Sequence, residues 1–152
     1  SIEFSGTKEK TVTTVVERKS RFLFLLKNDR KFSRGIMEKI KGKLEKLPKQ
    51  MRKTLTFDQD CEFADFRHLE RNLNCKVYYC EARSPWQKGS NENMNGRLRS
   101  YLPRSSDISQ ITQENLDQLA DRMNQRPRKC LGFKTPNELF IQQHKNDCRI
   151  WS

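Results

Sequence analysis

Residues 11–27 read TVTTVVERKSRFLFLLK, and this stretch decides the fold. Thr11 to Val16 is an unbroken run of β-branched side chains, and Phe22 to Leu26 is an unbroken apolar run. β-Branched and aromatic residues suit the pleated, packed surface of a strand. A short break at Lys19-Ser20 separates the runs, so they are expected to pair as antiparallel strands. Residues 1–5 supply the end of an earlier strand, with Ser5-Gly6-Thr7-Lys8 as the intervening turn.

Working outward, a helix is expected from Ser33 to about Leu47. Ile36, Ile40, Leu44 and Leu47 share one face, and Lys39, Lys41, Lys43 and Lys46 lie elsewhere. Pro48 stops it. The lysines form either a solvated helix face or a DNA-facing surface. Residues 53–57, KTLTF, read as a short strand ending at Asp58. Phe63, Phe66, Leu69 and Leu73 then repeat at helical spacing, and residues 75–80, CKVYYC, read as another strand. A loop with Ser84-Pro85 leads into a polar helix from about Ser90 to Tyr101. The next helix carries Leu116, Leu119, Ala120 and Met123 on one stripe. Thr135-Pro136-Asn137-Glu138 is a helix start: Thr135 caps, Pro136 suits the first turn and Glu138 completes the capping box. The order β-β-β-α-β-α-β-α-α-α predicts an α/β fold, a mixed sheet covered by helices. There is no internal repeat, low-complexity segment or linker, so residues 1–152 read as one domain.

Composition narrows the function classes. The 31 Lys+Arg against 19 Asp+Glu give a net charge of +12, concentrated in residues 1–50. Such an excess points to a polyanionic partner, nucleic acid before membrane. No apolar run approaches a membrane span, and residues 1–20 show no signal-peptide pattern. Of the five cysteines, Cys61, Cys75, Cys80, Cys130 and Cys148, none forms a C-x-x-C pair. Only His68 and His144 could join them, so a zinc site is not expected and reduced thiols of a cytosolic protein are.

The chemistry-bearing residues are two acids. Asp58 sits where a strand ends, the place where α/β sheets open onto ligand crevices. Glu92 follows the next strand and loop, with 33 residues between the two acids. Singly, the Asp reads equally as a turn residue and the Glu as a solvent-facing helix residue. The surroundings of Glu92 add weight. The stretch SPWQKGSNENMNGR over residues 84–97 is rich in Asn and Gly and poor in helix formers. In a helix, Lys88, Asn91 or Glu92, Asn95 and Arg99 share a face, which sets one carboxylate among donors suited to phosphates. Arg126-Pro127-Arg128-Lys129 is the densest basic cluster outside the first third. It reads both as a helix end complementing its dipole and as a phosphate contact. Trp86 reads as a base-stacking ring or as a loop anchor.

These segments resemble a family. SPWQKGSNENMNGRLRSYLP is similar to the Glu-bearing helix of DDE transposases of the insertion-sequence family usually called IS-thirty. VERKSRF, LTFDQDCEFA and NQRPRKCLGFKTPNELF resemble three further segments of that family, in the same order, and the likeness spans roughly residues 11–140. The Asp-to-Glu gap also fits the family spacing. The resemblance implies an integrase-type catalytic core: a ribonuclease H-like mixed five-stranded sheet flanked by helices. It implies metal-dependent cleavage and strand transfer at insertion-sequence ends by a polynucleotidyl transferase. Three carboxylates hold two Mg²⁺ ions, with Mn²⁺ as a substitute. Asp58 matches the second carboxylate and Glu92 the third. The implied partners are double-stranded DNA, both element ends and target, and further copies in a homodimer or higher oligomer. The implied location is the bacterial cytoplasm, at the nucleoid.

Two positions depart from the family pattern. The first Asp of the triad belongs on the first strand, and no Asp precedes Asp29. Its place falls just before Ser1, so the first strand reads as truncated, and the helix-turn-helix region expected before it is not in this chain. Glu3 stands three residues beyond that place, on the opposite face of a strand. Asp60 lies where the family commonly has Gly, and is expected at the surface. With two of three carboxylates, residues 1–152 alone are expected to cleave DNA inefficiently. The alternatives are a catalytically inactive DNA-binding remnant of a transposase and a retroviral-type integrase core.

Overall fold

The computed structural model describes residues 2–5, 7–29, 33–46, 54–57, 71, 76–79 and 93–150. The strands are β1 (Ile2–Phe4), β2 (Thr7–Glu17), β3 (Leu23–Asn28), β4 (Thr54–Phe57) and β5 (Lys76–Tyr79). The helices are α1 (Ser33–Glu45), α2 (93–99), α3 (Gln113–Asn124) and α4 (Pro136–Ile150). All the strands lie in one mixed sheet.

β2 is its organising strand. β3 runs antiparallel along one edge, with Val12 opposite Lys27 and Val16 opposite Leu23. β1 and β4 share the other edge end to end. Ile2 pairs with Val12, while Phe57 pairs with Val15 and Leu55 with Glu17. β5 lies parallel to β4, Thr54 to Phe57 matching Lys76 to Tyr79. Residues 11–17 are all buried, which explains why they show no alternation of polar and apolar side chains. β2 starts earlier than its β-branched run suggests: Thr7 and Lys8, expected in a turn, are its first residues. Thr7 pairs with Phe4 of β1, and such backbone pairing holds regardless of side-chain type.

Period-two alternation assigns the faces. Val12, Val16, Leu23 and Leu25 pack with Met94 and Leu98 of α2 and with Leu116, Ala120 and Met123 of α3. Leu119, on the same α3 stripe, packs against this cluster from its rim. On the opposite face the Phe22 ring stacks on Phe140 of α4 at 4.2 Å, and Phe24 meets Phe140 edge-on at 6.1 Å. α1 lies beside β3 and buries Ile40 and Leu44. Its lysines are tied to the chain: Lys43 pairs with Asp117 of α3, Lys41 with Glu45, and Lys39 with the Lys27 carbonyl and Asp29. The capping box expected at α4 is present, Glu138 N–H donating to the Thr135 hydroxyl at 3.1 Å and Thr135 N–H to the Glu138 carboxylate at 2.9 Å.

β3 would be an open edge, but α3 closes it. The Leu23 N–H donates to Asn124 Oδ1 at 2.8 Å, and Asn124 Nδ2 donates to the Leu23 carbonyl at 3.0 Å. Gln113 repeats the arrangement, accepting from Lys27 N–H at 2.9 Å and donating to the Leu25 carbonyl at 2.8 Å. From Gln113 to Asn124 the helix rises about 16 Å, and Leu23 to Lys27 spans about 13 Å of strand, so one helix serves both ends. Covering an edge in this way removes a site for wrong pairing. Asn124→Leu keeps the volume but strands a buried N–H and C=O. It is expected to cost about 2–4 kcal/mol in urea unfolding, whereas an exposed control such as Gln125→Leu should change little.

The helix expected over residues 63–73 lies outside the described residues apart from Arg71, which is helical and exposed. Cys61, Cys75, Cys80, Trp86 and Asp60 also lie outside them, and Cys130 is a free, exposed thiol. Among the described residues no helix is long and apolar enough to cross a membrane.

Candidate nucleic-acid interface

Asp58, Glu92, Lys88 and Asn91 lie outside the described residues. Their chain neighbours do not. Phe57, immediately before Asp58, pairs with Val15 of β2. Asn95, three residues after Glu92, accepts a hydrogen bond from the Thr14 hydroxyl at 3.1 Å. β4 and α2 therefore converge on adjacent residues of the same strand. Among the described residues no three His, Cys, Asp or Glu side chains group as a metal site.

The remaining expected residues divide into two sets. Asn95 and Arg99 lie on the sheet side of α2 and are half-buried. The Arg99 guanidinium sits 5.5 Å from the Phe4 ring centroid. Met94 and Leu98 of the same helix enter the core, which supplies the binding energy that its Asn- and Gly-rich sequence lacks. The second set follows α3. That helix ends at Asn124, Gln125 caps it, and Arg126 N–H still bonds the Met123 carbonyl before Pro127 turns the chain away. Arg126 and Lys129 are exposed, but Arg128 is only 8% exposed. Burial first, and the neighbouring charge of Arg97 second, lower the Arg128 pKa from its ordinary value; a guanidinium stays protonated under such a shift. Arg97 and Tyr101 were not legible as partners of this cluster. Their only signal is position: Arg97 is one turn beyond Met94 and on the other side of α2 from Arg99.

This fold is that of an integrase-type catalytic core. The catalytic core domain of BIV integrase superposes with a TM-score of 0.66 over 96% of this chain and 93% of that one, at 16% identity. The chain is homologous to insertion-sequence transposases of the IS30 type. It is 44% identical over 138 residues to the transposase InsI of insertion sequence element IS30C from Escherichia coli K12. It is 40% identical over 134 residues to the transposase of element IS1086 from Cupriavidus metallidurans. These matches cover 90% and 88% of this chain but 36% and 40% of the relatives, so the chain spans little more than a third of their length. No family model matches the chain.

Proposed function

We propose that this chain is the catalytic core of a DDE transposase, a polynucleotidyl transferase that cuts and joins DNA at insertion-sequence ends. The observation that carries the reading is the 44% identity to the IS30C transposase. A match of 138 residues in a chain of 152 necessarily spans both Asp58 and Glu92. The ribonuclease H-like arrangement of five strands belongs to the same reading, as does the treatment of residues 1–152 as one catalytic unit.

Asp58 and Glu92 serve as two of the metal-holding carboxylates. Hard oxygen donors of this kind suit Mg²⁺, or Mn²⁺ in its place. Bound divalent cations supply Lewis-acid charge at the attacking and leaving oxygens of a phosphodiester. The convergence of Phe57 and Asn95 on Thr14 and Val15 supports a shared location for the two acids. Lys88, Asn91, Asn95 and Arg99 orient the DNA strand beside them, and Arg126, Arg128 and Lys129 contact phosphates further out. The partners are duplex DNA, at the element end and at the target, and a second copy of the chain that brings two ends together. Such a protein works at the bacterial nucleoid.

Phosphate contacts by Lys and Arg release counterions. Affinity for duplex DNA is therefore expected to fall with salt by a log–log slope of about −0.9 per phosphate neutralised, with little sequence preference. Fluorescence-anisotropy titrations at several salt concentrations measure it. Salt-independent binding, or no binding at low salt, would overturn the DNA reading.

A further inference from the structure

The basic cluster after α3 is built around one inward-facing arginine. Arg128 N–H donates to the Lys134 carbonyl at 3.0 Å, and its carbonyl accepts from the Leu131 and Phe133 N–H groups at 2.9 Å each. This tight loop requires left-handed backbone at Gly132 (φ 61°) and at Phe133 (φ 63°). Glycine adopts it freely, but a bulky residue is strained there. Phe133 is 70% exposed, so its own packing does not offset that strain. The strain is retained by a loop whose hydrogen bonds fix the Arg128 peptide on both sides.

Among the described residues the side chain so fixed has no carboxylate as a counter-charge. Arg128 Nη2 lies 3.4 Å from Met94 Sδ, and its buried Nε has no hydrogen-bond partner. No described carboxylate pairs with it, and the strongest charge acting on it is the like charge of Arg97. Arg128 lines a cavity of about 280 Å³ together with Arg97, Arg126, Ser100, Tyr101 and Met123. Arg126 is held over the Tyr101 ring at 5.4 Å, and Arg97 is tethered to Asn93 at 3.3 Å. Three guanidinium groups, a hydroxyl and a phenol thus face one concavity, with no acidic residue in its wall among the described residues.

A buried cation without an anion is strongly destabilising. Guanidinium forks match the oxygens of a phosphate in pairs, and each such bond is charge-assisted. We propose that this cavity is a discrete single-phosphate site, gripping one backbone phosphodiester of DNA through Arg97, Arg126 and Arg128. Its arginines bind phosphate directly and need no metal. The proposal rests on the DNA reading above and adds to it a defined anchor point, in which Arg97 joins Arg126 and Arg128 on a single phosphate.

Two arms test it on the folded chain. In the first, inorganic phosphate is titrated at constant ionic strength while the Arg128 side-chain Nε–H is followed by NMR. A saturable shift is expected in the wild type and not in the Arg97→Gln/Arg126→Gln variant, whose substituted positions are exposed and leave Arg128 in place. In the second, duplex DNA binding is compared between the two proteins. The variant is expected to bind about tenfold more weakly at low salt and to lose about 0.9 from the salt slope. An unchanged slope with DNA binding intact would overturn the phosphate site and leave the DNA reading standing. Phosphate binding by a wild-type chain that binds no DNA would overturn the assignment to DNA. A wild-type dimer that phosphate disperses and the variant cannot form would also overturn it, assigning the pocket to a carboxylate of a second copy.

Discussion

Asp58→Asn and Glu92→Gln are each expected to lower metal-dependent nicking of insertion-sequence-end DNA by at least about 10²–10³-fold, the cost of removing one electrostatic contact to a developing charge. Both replacements keep the size of the side chain, delete the negative charge and exchange one acceptor oxygen for an amide donor. A loss of nicking with unchanged circular dichroism and melting temperature therefore assigns the residue to charge compensation rather than to folding. Binding of Mn²⁺, followed by its paramagnetic broadening of nearby amide signals, should weaken in the same variants. The assay runs the 152-residue chain beside the reading frame that contains it. Full activity of either variant would remove that residue from the site. Unchanged Mn²⁺ broadening with lost nicking would make it a proton-transfer or positioning group instead of a metal ligand.

The physical origin of each signal determines what could be read from sequence. The strand pair, the α3 stripe and the α4 start were legible because their causes are local. A β-branched run, a 3.6-residue period and the Thr135–Glu138 capping box each act within one element. The homologous segments were legible because they are contiguous strings, and they brought Asp58 and Glu92 into view as a pair. What escaped depends on residues far apart in the chain. Asn124 reads as one more polar residue at a helix end, and only the open edge of β3, some hundred residues earlier, gives it two backbone partners. The Arg126-Pro127-Arg128-Lys129 cluster reads in the sequence as one basic helix end. The loop that turns back at Gly132 separates it, sending Arg128 inward toward Met94 and leaving Arg126 and Lys129 outside. Charge patterning along the sequence carries no information about such a division.

Glu17 presents the same limit in its sharpest form, and it leads to an expected effect on stability as large as that of Asn124. In the sequence it is the charged residue that ends a β-branched run, a position normally given to solvent. In the fold it is 2% exposed. Its carboxylate accepts from Ser20 N–H at 2.7 Å, from the Ser20 hydroxyl at 2.6 Å and from Lys19 N–H at 3.2 Å. Its own N–H donates to the Phe22 carbonyl at 2.8 Å, closing the β2–β3 hairpin around Arg21, which has φ 60°. One carboxylate thus replaces the water that the turn donors would otherwise need, and Ser20 is itself fully buried. Hydrogen bonds to a charged acceptor contribute about 1.5–3 kcal/mol, and stranding buried donors costs more than losing the bond alone. Glu17→Ala is therefore expected to destabilise the chain by about 2–4 kcal/mol, a fall in melting temperature of roughly 5–15 °C for a chain of this size. Glu17→Gln keeps one carbonyl acceptor but turns an amide toward a donor, so an intermediate loss is expected. Ser20→Ala should cost less than Glu17→Ala, because it removes one of the three donors and frees only the part-buried Phe22 N–H, which the Ser20 hydroxyl accepts at 3.3 Å. Thermal unfolding of the three variants measures the series. Equal losses in all three would show that the turn is held by side-chain packing, and a Glu17→Ala melting temperature equal to wild type would show that the carboxylate does not hold the hairpin.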